Sequence, residues 1–328
     1  MTAADVVAGV IVVALAVFAL TGGADFGGGV WHLAAVGPRA RAQRELVARA
    51  IGPIWEANHV WLILVIVLLF VCFPSVYAAI GTALHWPLLG MLFGIVLRGA
   101  AFAFRSHDYG PEQARWDRLF AVSSLVTPFL FGLCIAGVSS GRIRVGPAGV
   151  VLPDFFGPWT TPFAGAVGLL LIAEFAWLAA VYLVLEADTD ALRADFRGRA
   201  LVAGTVTGVL ALAVVILARG AAPGVFAHLG ATPWGWAVQG GVGAVAVGSM
   251  VATVRRRDGL ARVLVAGQLL GVLIGWVTAL YPALLPPDLT VANAAAPTSV
   301  LVSTLAVLGI GSAALLPAFA WLYRVFKA

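Results

Sequence analysis

Four ionisable residues of this sequence stand inside or against long apolar stretches: Asp25 in TGGADFGGGVW, Glu56 in IGPIWEANHVWLI, Arg98 in LRGAAFAFR and Glu174 in LLIAEFAWL. Such groups are costly away from water, so they usually face protein or a water-filled cavity and often mark an ion or proton path. His59 follows Glu56 at i+3 on the same helical face and adds an imidazole that titrates near neutrality. Two carboxyls, an imidazole and a guanidinium at one depth can load protons. The same set can equally form a structural ion-pair cluster. Glu174 has no basic residue in its own stretch. It must find a partner on another helix, meet water or stay protonated, and a protonated Glu also serves as an interhelical hydrogen-bond donor.

Metal chemistry has less support. His32, His59, His85, His107 and His228, with Met1, Met91 and Met250, lie mostly at span ends or in loops, and no HxxxH or CxxC spacing occurs. No metal site is expected, and no haem held by this chain alone. Cys72 and Cys134 each sit within an apolar run and read as small core residues. The glycines of GGADFGGG lack the strand and βαβ setting of a nucleotide loop. Gly23 and Gly27, four apart, instead suit close helix packing.

The elements that must carry these residues are membrane helices. The 328 residues are 62% hydrophobic and 11% charged, with mean hydropathy +1.01, against roughly half apolar and a quarter charged in soluble domains. Nucleic-acid binding, disulfide-stapled secreted scaffolds and ordinary cytosolic enzymes are excluded. Apolar windows place nine spans at about 6–23, 60–80, 84–104, 119–138, 163–186, 200–217, 233–253, 262–281 and 300–323. Only helices satisfy their own backbone in lipid, so the fold is expected to be all-α. The first span is no cleaved signal peptide, since MTAAD carries an acid and no basic residue. Residues 1–328 read as one membrane domain without a visible internal repeat. The longest connectors, about 24–59 and 139–162, read as Gly/Pro-bearing loops or re-entrant pieces. Trp31, Trp55, Trp86, Trp159, Trp234 and Trp321 fall near span ends, as an interfacial belt requires.

Charge placement gives an orientation. Of 20 basic residues, 16 follow odd-numbered spans, 3 lie on the other side (Arg142, Arg144 and Arg219) and Arg98 lies within a span. The positive-inside bias then sets the N-terminus outside and the C-terminus in the cytoplasm. Asp25, Glu56, His59 and Arg98 all fall toward the cytoplasmic side. The net charge of +5 is a topology signal rather than the mark of an anionic partner.

The segments TGGADFGGGVWHL, IGPIWEANHVWLILVIVLLFVCFPSVYAA, LRGAAFAFRSH, SSLVTPFLFGLCIAGVSSG and YPALLPPDLTVANAAAPTSVLVSTLAVL resemble, in order and spacing, subunit II of the cytochrome bd-type quinol oxidases. The resemblance implies two four-helix bundles plus one extra helix in a prokaryotic cell membrane. It implies a haem-bearing subunit I as partner, with the b- and d-type haems and the quinol site there, and O₂ reduced to water with cytoplasmic protons. It leaves room for a structural quinone, membrane lipid and a small single-span accessory subunit. Glu56 takes the place of the family acid in W-[DE]-x-N, assigned to a proton channel near the subunit boundary. Trp55, Asn58 and Trp61 match the same motif in supporting roles. Asp25 matches the second Asp of T-D-G-F-D, whose first Asp is Gly22 here. Arg98 and Arg105 match R-x-x-x-F-x-x-R, and Glu174 matches no family motif. A secondary transporter using Asp25, Glu56 and Glu174 is the competing reading.

Overall fold

The structure is a computed structural model describing residues 2–51, 55–105, 111–146, 149–152 and 154–327, with the backbone alone at residues 51, 55–57, 105, 111, 112, 316, 319, 322, 323 and 325–327. In chain order the elements are α1 (Ala3–Leu33), α2 (Ala40–Ile51), α3 (Trp55–Cys72), α4 (Pro74–Ala83), α5 (His85–Arg105), α6 (Pro111–Ser139), α7 (Pro162–Glu186), α8 (Asp190–Ala221), α9 (Pro223–Ala231), α10 (Pro233–Val254), α11 (Asp258–Leu280), β1 (Ala283–Leu285), β2 (Leu289–Thr290) and α12 (Thr298–Lys327). Ordinary capping chemistry sets several starts. Thr2 and Asp5 close a capping box on α1. Thr161, Thr189 and Thr232 each accept a backbone N–H three residues on, opening α7, α8 and α10.

Among the described residues, eight helices are long and apolar enough to cross a membrane, or nine when α3 and α4 count as one broken span. The fold is all-α and polytopic, apart from the antiparallel β1–β2 hairpin. Three expectations change. The first span does not stop near residue 23: α1 runs through the glycines to Leu33, so Asp25 is inside a helix. Those glycines are packing surfaces, since a Cβ on Gly27 would strike the backbone oxygen of Phe175 and one on Gly23 would lie 2.7 Å from the Phe175 ring. Within the following connector, ARAQRELVARAI folds as the helix α2. The expected span 60–80 is broken at Phe73, and α4 turns away from α3 by 117°. Pro74 at the first position of α4 cannot donate to the preceding turn, while its apolar neighbours keep the hydropathy continuous.

The chain also contains a repeat. α3, α4 and α5 form a span, a short proline-opened helix and a span, and α8, α9 and α10 do the same. PSVYAAIG in α4 matches PGVFAHLG in α9; Ala24-Asp25-Phe26 in α1 matches Ala173-Glu174-Phe175 in α7; Arg118 and Ser124 in α6 match Arg262 and Gln268 in α11. Packing repeats as well. α1 packs on α3 and α6, and α5 on α6; α7 packs on α8 and α11, and α10 on α11. The halves exchange contacts reciprocally, α1 against α7, α6 against α7 and α11 against α1, and α12 lies outside on α1 and α3.

Within lipid, apolar burial gives little drive for helix association, so small residues and backbone approach carry it. α7 is the central helix, with 72% of its most apolar window buried. Ala173, Ala176, Ala179 and Ala180 on it are buried. A Cβ on Gly132 of α6 would lie 2.5 Å from the Gly168 Cα. Trp31, expected at an interface, is buried instead and donates its indole N–H to the Ala176 carbonyl at 2.7 Å, fastening α1 to α7.

Candidate functional site

α1, α5 and α6 bring three polar side chains together in the first bundle. Arg98 donates from Nη1 to Asp25 Oδ2 at 2.9 Å and from Nη2 to Asp25 Oδ1 at 2.6 Å. Its Nη2 also reaches the Asp25 carbonyl at 3.2 Å, and its Nε donates to Ser124 Oγ at 3.0 Å. Ser124 in turn donates to the Phe120 carbonyl at 2.7 Å. The guanidinium lies between two rings, 4.8 Å from the Phe26 centroid and 4.7 Å from that of Phe120. Each of its nitrogens thus has a carboxylate, hydroxyl or carbonyl to donate to, in the two-point geometry that makes such pairs strong.

His59 approaches the same group from α3. Its ring meets Phe26 edge to face at 6.0 Å and Phe18 at 6.5 Å, so Phe26 touches both the Arg98 guanidinium and the His59 imidazole. Asn58 is buried, and Trp61 packs with the Phe18 and Leu62 cluster. Glu56 belongs to the first turn of α3, one turn before His59. The side chains of Glu56, Trp55 and Arg105 lie outside the described residues.

The cluster extends to two residues that sequence reasoning did not select. His32 is seven residues after Asp25, two turns along α1, and its Nε2 lies 3.4 Å from Asp117 Oδ1 of α6. The His32 ring also packs edge to face on Phe120. Asp117 is 38% exposed and His32 6%, so polar groups run inward from the surface through Asp117 and His32 toward the Phe120 ring that covers Arg98. The Asp25-to-His32 spacing was the available signal once α1 is known to continue past the glycines.

Glu174 stands apart from this cluster, in the second bundle. It lies midway along α7 and is 3% exposed. Gln268 of α11 donates to its Oε1 at 2.8 Å. Glu174 Oε2, Gln268 Oε1, Trp177 Nε1 and Thr207 Oγ1 are buried without a hydrogen-bond partner. The Trp177 indole lies against Gly204 of α8, where a Cβ would be 2.9 Å from the ring, and Thr207 follows Gly204 by one turn.

Ion pairs join the halves where α1 ends. Arg39 donates to Asp195 at 2.8 Å, Gln43 to Asp195 at 2.8 Å and Arg199 to Gln43 at 2.6 Å. A cavity of about 240 Å³ lies there, lined by Val36, Pro38 and these four residues. At the opposite end Arg144 and the Val145 N–H hold Asp288 at 2.9 Å each.

Among the described histidines, His32 packs edge to face on Phe120, His59 on Phe18 and Phe26, and His85 on Trp86. Among the described residues no group of three His, Cys, Asp or Glu side chains is placed to hold a metal ion.

A family model described as cytochrome bd terminal oxidase subunit II matches residues 3–326. Cytochrome bd ubiquinol oxidase subunit 2 of Bacillus subtilis is 32% identical over 100 residues, 30% of this chain and 30% of that protein. Cytochrome bd-I ubiquinol oxidase subunit 2 of Escherichia coli K12 is 30% identical over 128 residues, 38% of this chain and 32% of that protein. The matched segments thus span about a third of these curated relatives. A chain of the bd oxidase structure from Geobacillus thermodenitrificans superposes with a TM-score of 0.82 at 22% identity over 99% of both chains, so the two share a fold.

Proposed function

Because the chain belongs to the cytochrome bd terminal oxidase subunit II family, we propose that it works as the haem-free subunit of a quinol-oxidising, O₂-reducing complex in a bacterial cell membrane. The haems and the quinol chemistry belong to a subunit I partner, as membership of the subunit II family implies. The end bearing Arg39, Arg49, Arg197 and Arg199 faces the cytoplasm, following the 16 to 3 bias in basic residues.

This subunit also supplies a proton path from the cytoplasmic face toward the boundary with subunit I. Glu56, at the start of α3, receives protons, and His59 one turn further passes them on. The observation that carries this reading is the juxtaposition of His59, Phe26, Arg98 and Asp25 within one bundle. Asp25 serves as the fixed counter-charge of Arg98, and the pair sets the potential that the imidazole feels. Glu174, also expected on the proton path, lies on α7 and bonds Gln268 of α11.

Purification of the full-length chain with whatever it assembles with is the test. Co-isolation of a haem-bearing membrane subunit and quinol-dependent O₂ consumption by the preparation is the expected result. A haem-free preparation that exchanges a solute across vesicles would replace this reading with the transporter.

A further inference from the structure

Among the described residues, the Glu174–Gln268 pair lacks one donor. Gln268 Nε2 donates to Glu174 Oε1 at 2.8 Å, which leaves Glu174 Oε2 and Gln268 Oε1 as buried oxygens without partners. An ionised carboxylate only accepts, and an amide oxygen only accepts. Turning the amide over does not help, because its oxygen would then meet the carboxylate and its NH₂ would leave.

A cation could balance the charge instead, so the groups on every element packed against α7 matter. On α1, Asp25 is held by Arg98 and His32 stands beside Asp117. On α2, Arg39 pairs with Asp195, Arg41 with Glu45 and Arg49 with Asp188, while Arg44 reaches the His32 and Ala35 carbonyls. On α8, Arg193 pairs with Asp190, Arg197 with Asp258 and Arg199 with Gln43, and Arg219 covers Phe226. On α11, Asp258 is taken by Arg197 and Arg262 covers the Tyr182 ring. On α6, Arg115, Asp117 and Arg118 lie in the first third of the helix and Cys134 is a buried thiol. Among the described residues, Glu174 has no cationic partner.

The repeat gives the same answer independently. Asp25 and Glu174 occupy matching places in Ala-Asp-Phe and Ala-Glu-Phe, and Ser124 and Gln268 match in α6 and α11. Counting from Trp86 or from the proline that opens the short helix, the α10 counterpart of Arg98 is Ala246 or Val247. The first half balances its buried carboxyl with a guanidinium. The second half has the carboxyl and no guanidinium.

From this we infer that Glu174 and Gln268 form a proton-binding site in the second bundle, in which Glu174 carries a proton in the resting protein. That proton supplies the missing donor, since the acid O–H can bond the amide oxygen while the amide N–H bonds the acid carbonyl. Trp177 Nε1 and Thr207 Oγ1, on α7 and α8, are likewise buried without a hydrogen-bond partner.

Infrared spectra of the purified full-length protein, with whatever subunits accompany it, test this at neutral pH. The wild-type minus Glu174→Gln difference is expected to contain the C=O stretch of a protonated carboxylic acid, downshifted in D₂O. The amide introduced by Glu174→Gln keeps one donor and one acceptor toward Gln268, so the variant should accumulate like wild type. Gln268→Arg should abolish the same band by substituting a guanidinium for the proton. A difference spectrum with only the paired stretches of an ionised carboxylate overturns the inference. The wild-type spectrum decides the matter even where Gln268→Arg fails to assemble.

Discussion

Asp25 and Arg98 face each other through two hydrogen bonds of 2.6 and 2.9 Å with both side chains 2% exposed. Desolvating two charges is expensive, and the return depends on both being present. Removing one leaves an uncompensated buried charge, which typically costs about 3–5 kcal/mol. Arg98→Met and Asp25→Leu are therefore expected to lower thermal stability or yield sharply when made singly. The double change Asp25→Leu with Arg98→Met should recover much of the loss. A double variant as damaged as the worse single one would contradict this, and thermal unfolding of the purified complex is the measurement.

The α1–α7 crossing makes a second prediction from backbone space alone. A methyl group at Gly27 would collide with the Phe175 carbonyl, whereas one at Gly9 meets nothing within 4 Å. Overpacking of a tight contact costs about 1–3 kcal/mol, and here the obstacle is backbone on a helix that cannot swing aside. Gly27→Ala should reduce the amount of folded protein in membranes. Gly9→Ala should leave it unchanged. Equal yields of the two variants would mean that the helices can separate at little cost.

These two sites show what hydropathy and charge can read. Spans appear because apolar runs must be long, and Asp25 with Arg98 stand out because charge is rare within them. The bend at Phe73 does not appear, since the residues on both sides of Pro74 are apolar and only the missing N–H marks the break. Gly23 and Gly27 read as helix-packing positions, but the helix itself is not read past residue 23, because a glycine run lacks the apolar side chains that mark a span; that same lack is what admits Phe175. Gln268 escaped notice because it is uncharged; its meaning depends on Glu174, 94 residues earlier. The repeat is dispersed over short matches that become visible once the short helices α4 and α9 mark the register.

Acid should loosen the end of the molecule where Asp288 is held. The Arg144 guanidinium, followed by the Val145 N–H, keeps the Asp288 carboxyl below its ordinary value. A depressed carboxyl contributes stability above its unfolded pKa of about 3.9 and loses that contribution as pH falls through the folded value. At neutral pH the contact is fully formed, and it should be lost only below about pH 4. Amide exchange in residues 144–146 and 288–293 is expected to speed up there in the wild type. Asp288→Asn should exchange quickly already at pH 7, with a smaller further change on acidification. A wild-type protein whose exchange at these positions does not respond to acid would remove Asp288 as the fastening group.

Glu56 separates the proton role from the structural one, because Gln preserves its shape and removes its exchangeable proton. General acid–base groups typically contribute about 10²–10⁴-fold where proton transfer limits the rate. Glu56→Gln is expected to slow O₂ reduction by about ten-fold or more, with haem content and complex yield unchanged. Glu56→Asp retains the carboxyl with a shorter reach, so it should fall between Gln and wild type. His59→Gln tests the next group inward and should slow turnover without releasing the partner subunit, since the amide can still pack between Phe18 and Phe26. The ordering of the three rates is the diagnostic quantity, measured as quinol-driven O₂ uptake by equal amounts of haem. Rates at the wild-type level in Glu56→Gln, with normal assembly, would withdraw proton transfer from α3 and leave the Asp25–Arg98 cluster as a structural pair.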